Sequence, residues 1–99
     1  MAGSLMQRIF GLHLLPELNV GEGLLLPRST TIDTTFMRYA IDLVFVDRSG
    51  RVTRTVANVP PWRMVLRAFG GRDCIELPAG TITATDIQRG DELRFHDVT

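Results

Sequence analysis

Two acidic residues stand inside apolar segments, where a carboxyl group is expected to be shielded from water. Asp42 interrupts the apolar run of residues 41–46, and Glu76 lies between Ile75 and Leu77. A shielded carboxylate is costly unless it is paired and hydrogen-bonded. Arg38 and Arg63 are the candidate partners of Asp42. Two interpretations stay open: an Arg–Asp pair at the rim of a ligand cleft, or an ion pair that fixes the register of central strands.

Glu76 should face the side opposite to its two apolar neighbours, either toward solvent or into the same cleft as Asp42. Two carboxyl groups in one cleft are the arrangement that glycoside hydrolysis requires. The alternative to a binding domain is therefore a small hydrolase or other enzyme that uses Asp42 or Glu76 as its acid or base. Their separation decides between these functions, and the spacing in sequence does not give it.

Trp62 and two arginines form a second candidate group. Trp62 follows Pro60-Pro61 and is either a stacking platform for a sugar or base or a plug in the apolar core. If Arg38 and Trp62 share an opening, they suit an anionic or planar ligand, because arginine binds anions with two donors and aromatic rings stack. The candidate ligand-binding residues are thus Arg38, Asp42, Trp62, Arg63 and Glu76.

Other reactive residue types are too scattered to predict a catalytic or metal site. His13, Cys74 and His96 lack the close pairs that a zinc site needs. Cys74 has apolar neighbours and no histidine near it in sequence, so it is not expected to be a nucleophile. We therefore expect no metal, no cofactor and no dedicated catalytic residue.

Charge and composition exclude several classes of protein. The chain has 99 residues, eleven of them arginine and none lysine, balanced by eleven acidic residues. A neutral chain lacks the excess of basic charge that a nucleic-acid surface needs. No apolar run is long enough for a membrane helix, and the N-terminal segment lacks the uninterrupted apolar core of a signal peptide. With a single cysteine and no such segment, the cytoplasm is the expected compartment.

The elements that must position these residues are mostly short strands. Predicted strands cover residues 9–15, 23–27, 40–46, 51–57, 74–77 and 92–96, and a short β-rich stretch begins at Ile32. Residues 17–23 are predicted to be a polar loop because Gly21 and Gly23 permit turns. Residues 47–50, Asp-Arg-Ser-Gly, predict the turn of a hairpin, whose first strand should be central and whose second should lie nearer an edge.

Helical patterns occur at two places. Trp62, Val65, Leu66 and Phe69 follow a helical spacing that ends at Gly70-Gly71, although an irregular arm packed by Trp62 fits this segment nearly as well. Thr83 and Gly90 have the residue types of a helix cap and exit, which predicts one helical turn at residues 84–89.

The expected architecture is one all-β domain over residues 1–99, a β-sandwich or barrel of six to seven short strands with one short helix. Residues 1–5 are expected to be disordered or derived from a tag. A chain of this size buries enough surface for one core without disulfides.

The order of several short motifs resembles the bacterial and archaeal family called domain of unknown function 192. The motifs are Phe36-Met37-Arg38, the strand of residues 41–47 that ends in Asp, Gly50, Pro61-Trp62-Arg63, residues 75–80 (Ile-Glu-Leu-Pro-Ala-Gly) and Gly90-Asp91. The resemblance runs from about Gly11 to Phe95. It implies an all-β sandwich, and the family has no established activity.

The chain departs from the family pattern ahead of the Phe-Met-Arg triplet. Ser29 and Asp33 stand where members with the Pro-Trp element often have cysteine and histidine, and Tyr39-Ala40 replaces the usual Phe-Pro or Asn-Thr. Chemistry that depends on that cysteine or histidine is not expected here. The leading hypothesis is a non-catalytic ligand-binding or interaction module, a monomer or weak homodimer that binds neither nucleic acid nor membranes. A protein-interaction domain would instead show a flat apolar patch or a twofold contact.

Overall fold

The computed structural model describes residues 7–15, 18–29, 31–35, 37–66 and 70–97. The predicted disordered or tag-derived segment, residues 1–5, lies outside them. The described residues form eight strands and one short helix: β1 (Gln7–Leu14), β2 (Leu18–Leu26), β3 (Thr31–Asp33), β4 (Ile41–Val46), β5 (Val52–Val59), β6 (Met64–Leu66), β7 (Asp73–Pro78), α1 (Thr81–Thr85) and β8 (Leu93–Asp97). The all-β class with one short helix is confirmed, with eight strands rather than six to seven. That helix is too short to cross a membrane.

The strands form two antiparallel sheets. The larger sheet is open and has the order β5-β4-β7-β2-β1-β8, and the smaller one pairs β3 with β6. The predicted hairpin is β4–β5, with β4 inside the sheet and β5 at its edge, as expected. In its turn, the Asp47 Oδ1 accepts hydrogen bonds from the backbone N–H groups of Ser49 and Arg51, at 2.9 and 3.0 Å. Gly50 completes the turn with a φ of 87°.

The two central strands, β4 and β7, carry apolar side chains on both faces of the sheet, because each face is covered. Every residue of β4 is buried. One core cluster includes Val44, Ile75 and Leu77 and packs beside Ile82 of α1. The cluster on the other face includes Leu43 and Phe45 and is covered by the small sheet through Ile32 and Val65. Side chains therefore alternate between two separate cores along the same strand.

The predicted loop at residues 17–23 is wrong, since most of it belongs to β2. Gly21 adopts a φ of 107° beside an irregularity in the pairing with β1, so this glycine lies at a distortion within the strand and not in a turn. Gly23 is needed for close packing and not for a turn. A Cβ atom there would lie 2.9 Å from the Glu76 carbonyl oxygen and 3.0 Å from the Leu77 Cδ2.

The predicted helical stripe from Trp62 to Phe69 is also wrong. Residues 64–66 form β6, in which Val65 pairs with Ile32 and faces the core while Met64 and Leu66 are exposed. A three-residue strand with one buried side chain satisfies the same apolar pattern as a helix turn. The irregular-arm alternative also fails in its main feature, because Trp62 is 73% exposed and so does not pack the arm against the core. Phe69 lies outside the described residues.

The short helix begins three residues and ends four residues earlier than predicted. It covers Thr81–Thr85, begins after Gly80, which has no side chain to cap it, and ends at Asp86 in the left-handed conformation. Thr83 is inside the helix and not its cap. Gly90 also has positive φ, but it belongs to a later turn in which its N–H donates to the Val52 carbonyl at 2.8 Å. Residue types that favour helix ends occur at both turns, so residue types alone predicted the wrong boundary for the helix.

Candidate functional site

Glu76 is a buried acid in the middle of the larger sheet. It pairs in register with Leu43 on β4 and with Leu24 on β2, which fixes the face of the sheet to which it points. The residue is 6% exposed, and its Oε2 accepts no hydrogen bond from the described residues. Burial raises the pKa of the Glu76 carboxyl above its usual range. Such an orphaned buried group is rare in native proteins and calls for an explanation.

A pocket of about 400 Å³ opens beside Glu76. Its walls come from β2, the start of β4, the end of β7 and the short segment that precedes β4. The described residues that line it are Glu22, Gly23, Leu24, Met37, Tyr39, Ile41, Glu76, Leu77 and Pro78. The lining is mostly apolar with a few polar groups, which is the usual composition of a small-molecule site.

Glu22 gives this pocket a second carboxyl group. It lies two residues before Leu24, so it occupies the same face of the sheet, diagonally across from Glu76. Its Oε1 accepts hydrogen bonds from the Arg8 Nε and Nη2, at 3.1 and 2.9 Å. Both side chains of this ion pair are exposed. The sequence prediction missed Glu22 because it placed the residue in a loop, where alternation carries no information about faces.

Gly23 holds β2 close to β7 at the level of the pocket. The short distances that any Cβ atom would make there leave no room for a larger residue without displacing one strand. The close approach brings Leu24 of β2 opposite Glu76 of β7. The isolated glycine in a strand was the available signal for such an approach.

Met37 and Tyr39 form the outer wall. The segment that carries them is anchored by the Met37 N–H, which donates to the Thr34 carbonyl at 3.0 Å. Met37 also packs against the core cluster that contains Leu43. Tyr39 is 67% exposed and presents an aromatic ring at the mouth of the pocket. Phe36, the first residue of the family triplet, lies outside the described residues.

Asp42 is fully buried, but the predicted pairing with arginine is wrong. Its Oδ1 accepts from the Asn58 N–H at 2.9 Å, and its Oδ2 accepts from the Ile82 N–H at 2.8 Å. Backbone amides therefore satisfy this carboxylate, and within the described chain it forms no ion pair with Arg38 or Arg63.

Asp42 and Glu76 do not share a cleft. Asp42 pairs with Leu77, whereas Leu43 pairs with Glu76, and directly opposed residues of antiparallel strands point to the same face. The two acids thus lie on opposite faces of the sheet. An acid pair made of these two residues is excluded, as is a rim position for Asp42.

The remaining candidates lie outside the pocket lining. Arg38 is exposed, in the same segment as Met37 and Tyr39. Trp62 is exposed and has a φ of 67°, so the core-plug interpretation is wrong. Arg63 is exposed, and its Nη1 donates to the Trp62 carbonyl at 3.3 Å. Of the five predicted site residues, Glu76 alone lines the pocket.

The thiol of Cys74 is buried two residues from Glu76 on the same face. Burial, reinforced by the nearby Glu76 carboxylate, raises the pKa of this thiol far above its usual range, which makes it unreactive. Across the described parts of the chain, histidine, cysteine and acidic side chains form no group of three that could hold a metal ion.

This chain is similar to a curated protein, to a solved structure and to a sequence family. A curated relative from Thermococcus sibiricus, named "UPF0127 protein", is 31% identical over 97 residues, which are 94% of this chain but 62% of that relative. A crystal structure of a protein of unknown function from Novosphingobium aromaticivorans has a TM-score of 0.66 at 24% identity, covering 85% of this chain and 64% of the other, and it shows the fold alone. The sequence model of the DUF192 family, described as "Uncharacterized ACR", matches residues 1–95. The chain therefore belongs to the DUF192 family of uncharacterised proteins.

Proposed function

We propose that this domain binds a small organic molecule in the pocket beside Glu76 and does not change it chemically. One observation carries the proposal: a Glu76 carboxyl oxygen that accepts no hydrogen bond from the described residues is buried beside an apolar pocket of about 400 Å³. A ligand that supplies the missing partner removes the cost of that orphaned group. The apolar walls of Leu24, Met37 and Ile41 suit the body of such a ligand.

Thermal-shift screening against small amines, alcohols, sugars, nucleotides and carboxylates tests this function. Ligands that bind the folded state raise the melting temperature by mass action. The variant Leu24→Trp fills the pocket from its wall, and Met64→Trp adds the same bulk at an exposed position outside it. We expect a compound that raises the melting temperature of the native chain and of Met64→Trp but not of Leu24→Trp. A screen with no such compound would overturn the proposal.

A second candidate function is acid–base catalysis by Glu76. It is favoured by the raised pKa of Glu76 and by the second carboxyl, Glu22, on the same pocket. Asp42 has no part in it. Release of nitrophenol from nitrophenyl glycosides or esters, abolished in Glu76→Gln, would support catalysis over binding.

We further infer that the domain works in the cytoplasm as a monomer or weak homodimer, without nucleic-acid partners. The balanced charge of the chain supports the last point, since nucleic-acid affinity depends on excess basic charge. Light scattering at two protein concentrations measures the oligomeric state.

A further inference from the structure

The charges around the pocket point to the chemical class of its ligand. We propose that the ligand is an organic ammonium ion with an apolar body, whose N–H groups bind the Glu76 carboxylate. This inference rests on the proposed binding function and deepens it. It depends on the charges of the lining, the state of the Glu76 carboxyl and the residues at the mouth of the pocket.

The described lining residues contribute two carboxyl groups and no positively charged side chain. Arg8 contacts the pocket only indirectly, through its ion pair with Glu22. The Arg38 side chain is exposed and is not part of the lining. Because Arg8 already pairs with Glu22, Glu76 is the acid of the described lining that is left to attract a cation, and an anionic ligand would meet no positively charged side chain in that lining.

Within the described parts of the chain, the Glu76 Oε2 lacks a hydrogen-bond partner, which an ammonium group can supply. A carboxylate accepts hydrogen bonds at both oxygens, and charge-assisted N–H donors make the strongest of them. A carboxyl group rotates readily about its last bond, so either oxygen can turn toward the pocket. An ammonium ion provides up to three donors together with the charge that compensates a buried carboxylate.

The mouth of the pocket suits the same ligand. Tyr39 lines the pocket and is largely exposed, and aromatic rings attract cations that approach their faces. Met37 and Leu24 offer apolar contact for the carbon skeleton. A carboxylate, an aromatic ring and apolar walls together form the usual set of contacts for an amine.

Proton exchange at Glu76 should accompany binding. Among the described residues, Glu22 of β2, Tyr39 at the mouth and Cys74 of β7 lie on its face, and so does Arg8 of β1, which is paired with Glu22. The edge strands β5 and β8 add Arg54 and His96 to that face, while β4 contributes only apolar side chains there. An ammonium ion favours the ionised carboxyl, so its affinity should rise as the pH rises through the pKa of Glu76. A neutral ligand of the same shape should lack this rise.

Three probes of nearly equal size separate the possibilities: benzylamine, benzyl alcohol and benzoate. Titration of the ¹⁵N-labelled chain, followed by amide resonances around the pocket, gives an affinity for each. We expect benzylamine to bind about tenfold more tightly than benzyl alcohol, and benzoate to bind more weakly than both. Glu76→Gln should weaken benzylamine by about tenfold and leave benzyl alcohol nearly unchanged.

A matched control and a pH series complete the test. Glu92→Gln removes a carboxylate outside the pocket and should leave benzylamine binding unchanged. In the native chain the affinity for benzylamine should increase with pH, and Glu76→Gln should remove that increase. This series on the native chain decides the question even if the variant folds poorly.

If benzylamine binds, two results would overturn the ammonium inference: equal binding of amine and alcohol, or binding of the amine that is independent of both pH and Glu76. Neither result removes the pocket as a binding site, because the proposed function fails only when the wider screen finds no compound that Leu24→Trp excludes. Benzylamine that shifts no resonance also overturns the inference, and the wider screen then decides the proposed function separately.

Discussion

The Glu76 carboxyl destabilises the fold at neutral pH. Its pKa is raised by burial, so the folded chain holds this proton more tightly than the unfolded chain does. Stability from this group is fully present below the ordinary carboxyl pKa and is lost as the pH rises through the raised value. Under the proposed binding of an ammonium ion, the ligand would offset this cost by pairing with the ionised carboxyl.

Glu76→Gln should therefore be more stable than the native chain at neutral pH, because a neutral amide replaces the buried acid. The gain should shrink as the pH falls toward the ordinary pKa of a carboxyl group. Urea unfolding of both chains at several pH values measures the difference. A constant difference across the series would contradict the assignment of the raised pKa to Glu76.

Asp42 differs from Glu76 because both of its carboxyl oxygens accept hydrogen bonds from backbone amides. The carboxylate joins the central strand β4 to Asn58, a residue of β5 with positive φ, and to Ile82 in α1. Its role is structural. The sequence did not reveal this role, because every residue except proline has a backbone N–H and no residue type identifies which one Asp42 contacts.

Asp42→Ala should lower the free energy of unfolding by ~3 kcal/mol or more, since it leaves two amides without acceptors in a buried site. Asp42→Asn keeps the shape but turns an N–H group toward one of those amides, so it should also destabilise, by a smaller amount. Chemical denaturation measures both variants. A transition unchanged in Asp42→Ala would refute the structural role.

The β4–β5 hairpin shows what short-range sequence signals can predict. Its turn depends on Asp47, whose Oδ1 accepts from the N–H and hydroxyl of Ser49 and from the N–H of Arg51. These hydrogen bonds lower the pKa of Asp47. All the partners lie within four residues, so the residue types alone were enough to locate the turn.

Asp47→Ala should destabilise the chain by about 1 kcal/mol, as the loss of a local capping side chain does. Because the pKa of Asp47 is lowered in the folded state, the loss should be present at neutral pH and vanish as the pH falls through that pKa. Thermal unfolding at neutral and acidic pH measures it. Arg48→Ala, an exposed neighbour in the same turn, is the control and should have little effect.

Elements that depend on distant partners were harder to predict. Val65 and Leu66 fit a helix turn as well as a strand, and only the pairing of Val65 with Ile32 of β3 decides between them. Gly21 and Gly23 resemble loop residues, yet one lies at a strand irregularity and the other at a close contact between strands. Because the predicted strand began only at residue 23, Glu22 was assigned to a loop. One of the two acidic residues in the described lining of the pocket was therefore missed.

At the scale of the molecule, the all-β class and the family followed from the sequence because many short apolar runs and ordered motifs agree along the whole chain. The site did not follow in the same way. Glu76 was predicted as a candidate, but its pocket combines β2, β4 and β7, which the chain order does not place side by side. Strand order depends on long-range pairing, which a single sequence does not state.

The exposure of Trp62 has a practical consequence for spectroscopy. It is the only tryptophan in the chain, and the residue is 73% exposed in the folded state. The tryptophan emission of the native protein should already be that of a water-exposed indole, so unfolding should shift its wavelength little. Conversely, a blue shift of the emission on adding another molecule would show that the molecule contacts the surface around Trp62. Such a contact would lie outside the Glu76 pocket, and the shift would not report a change in the core.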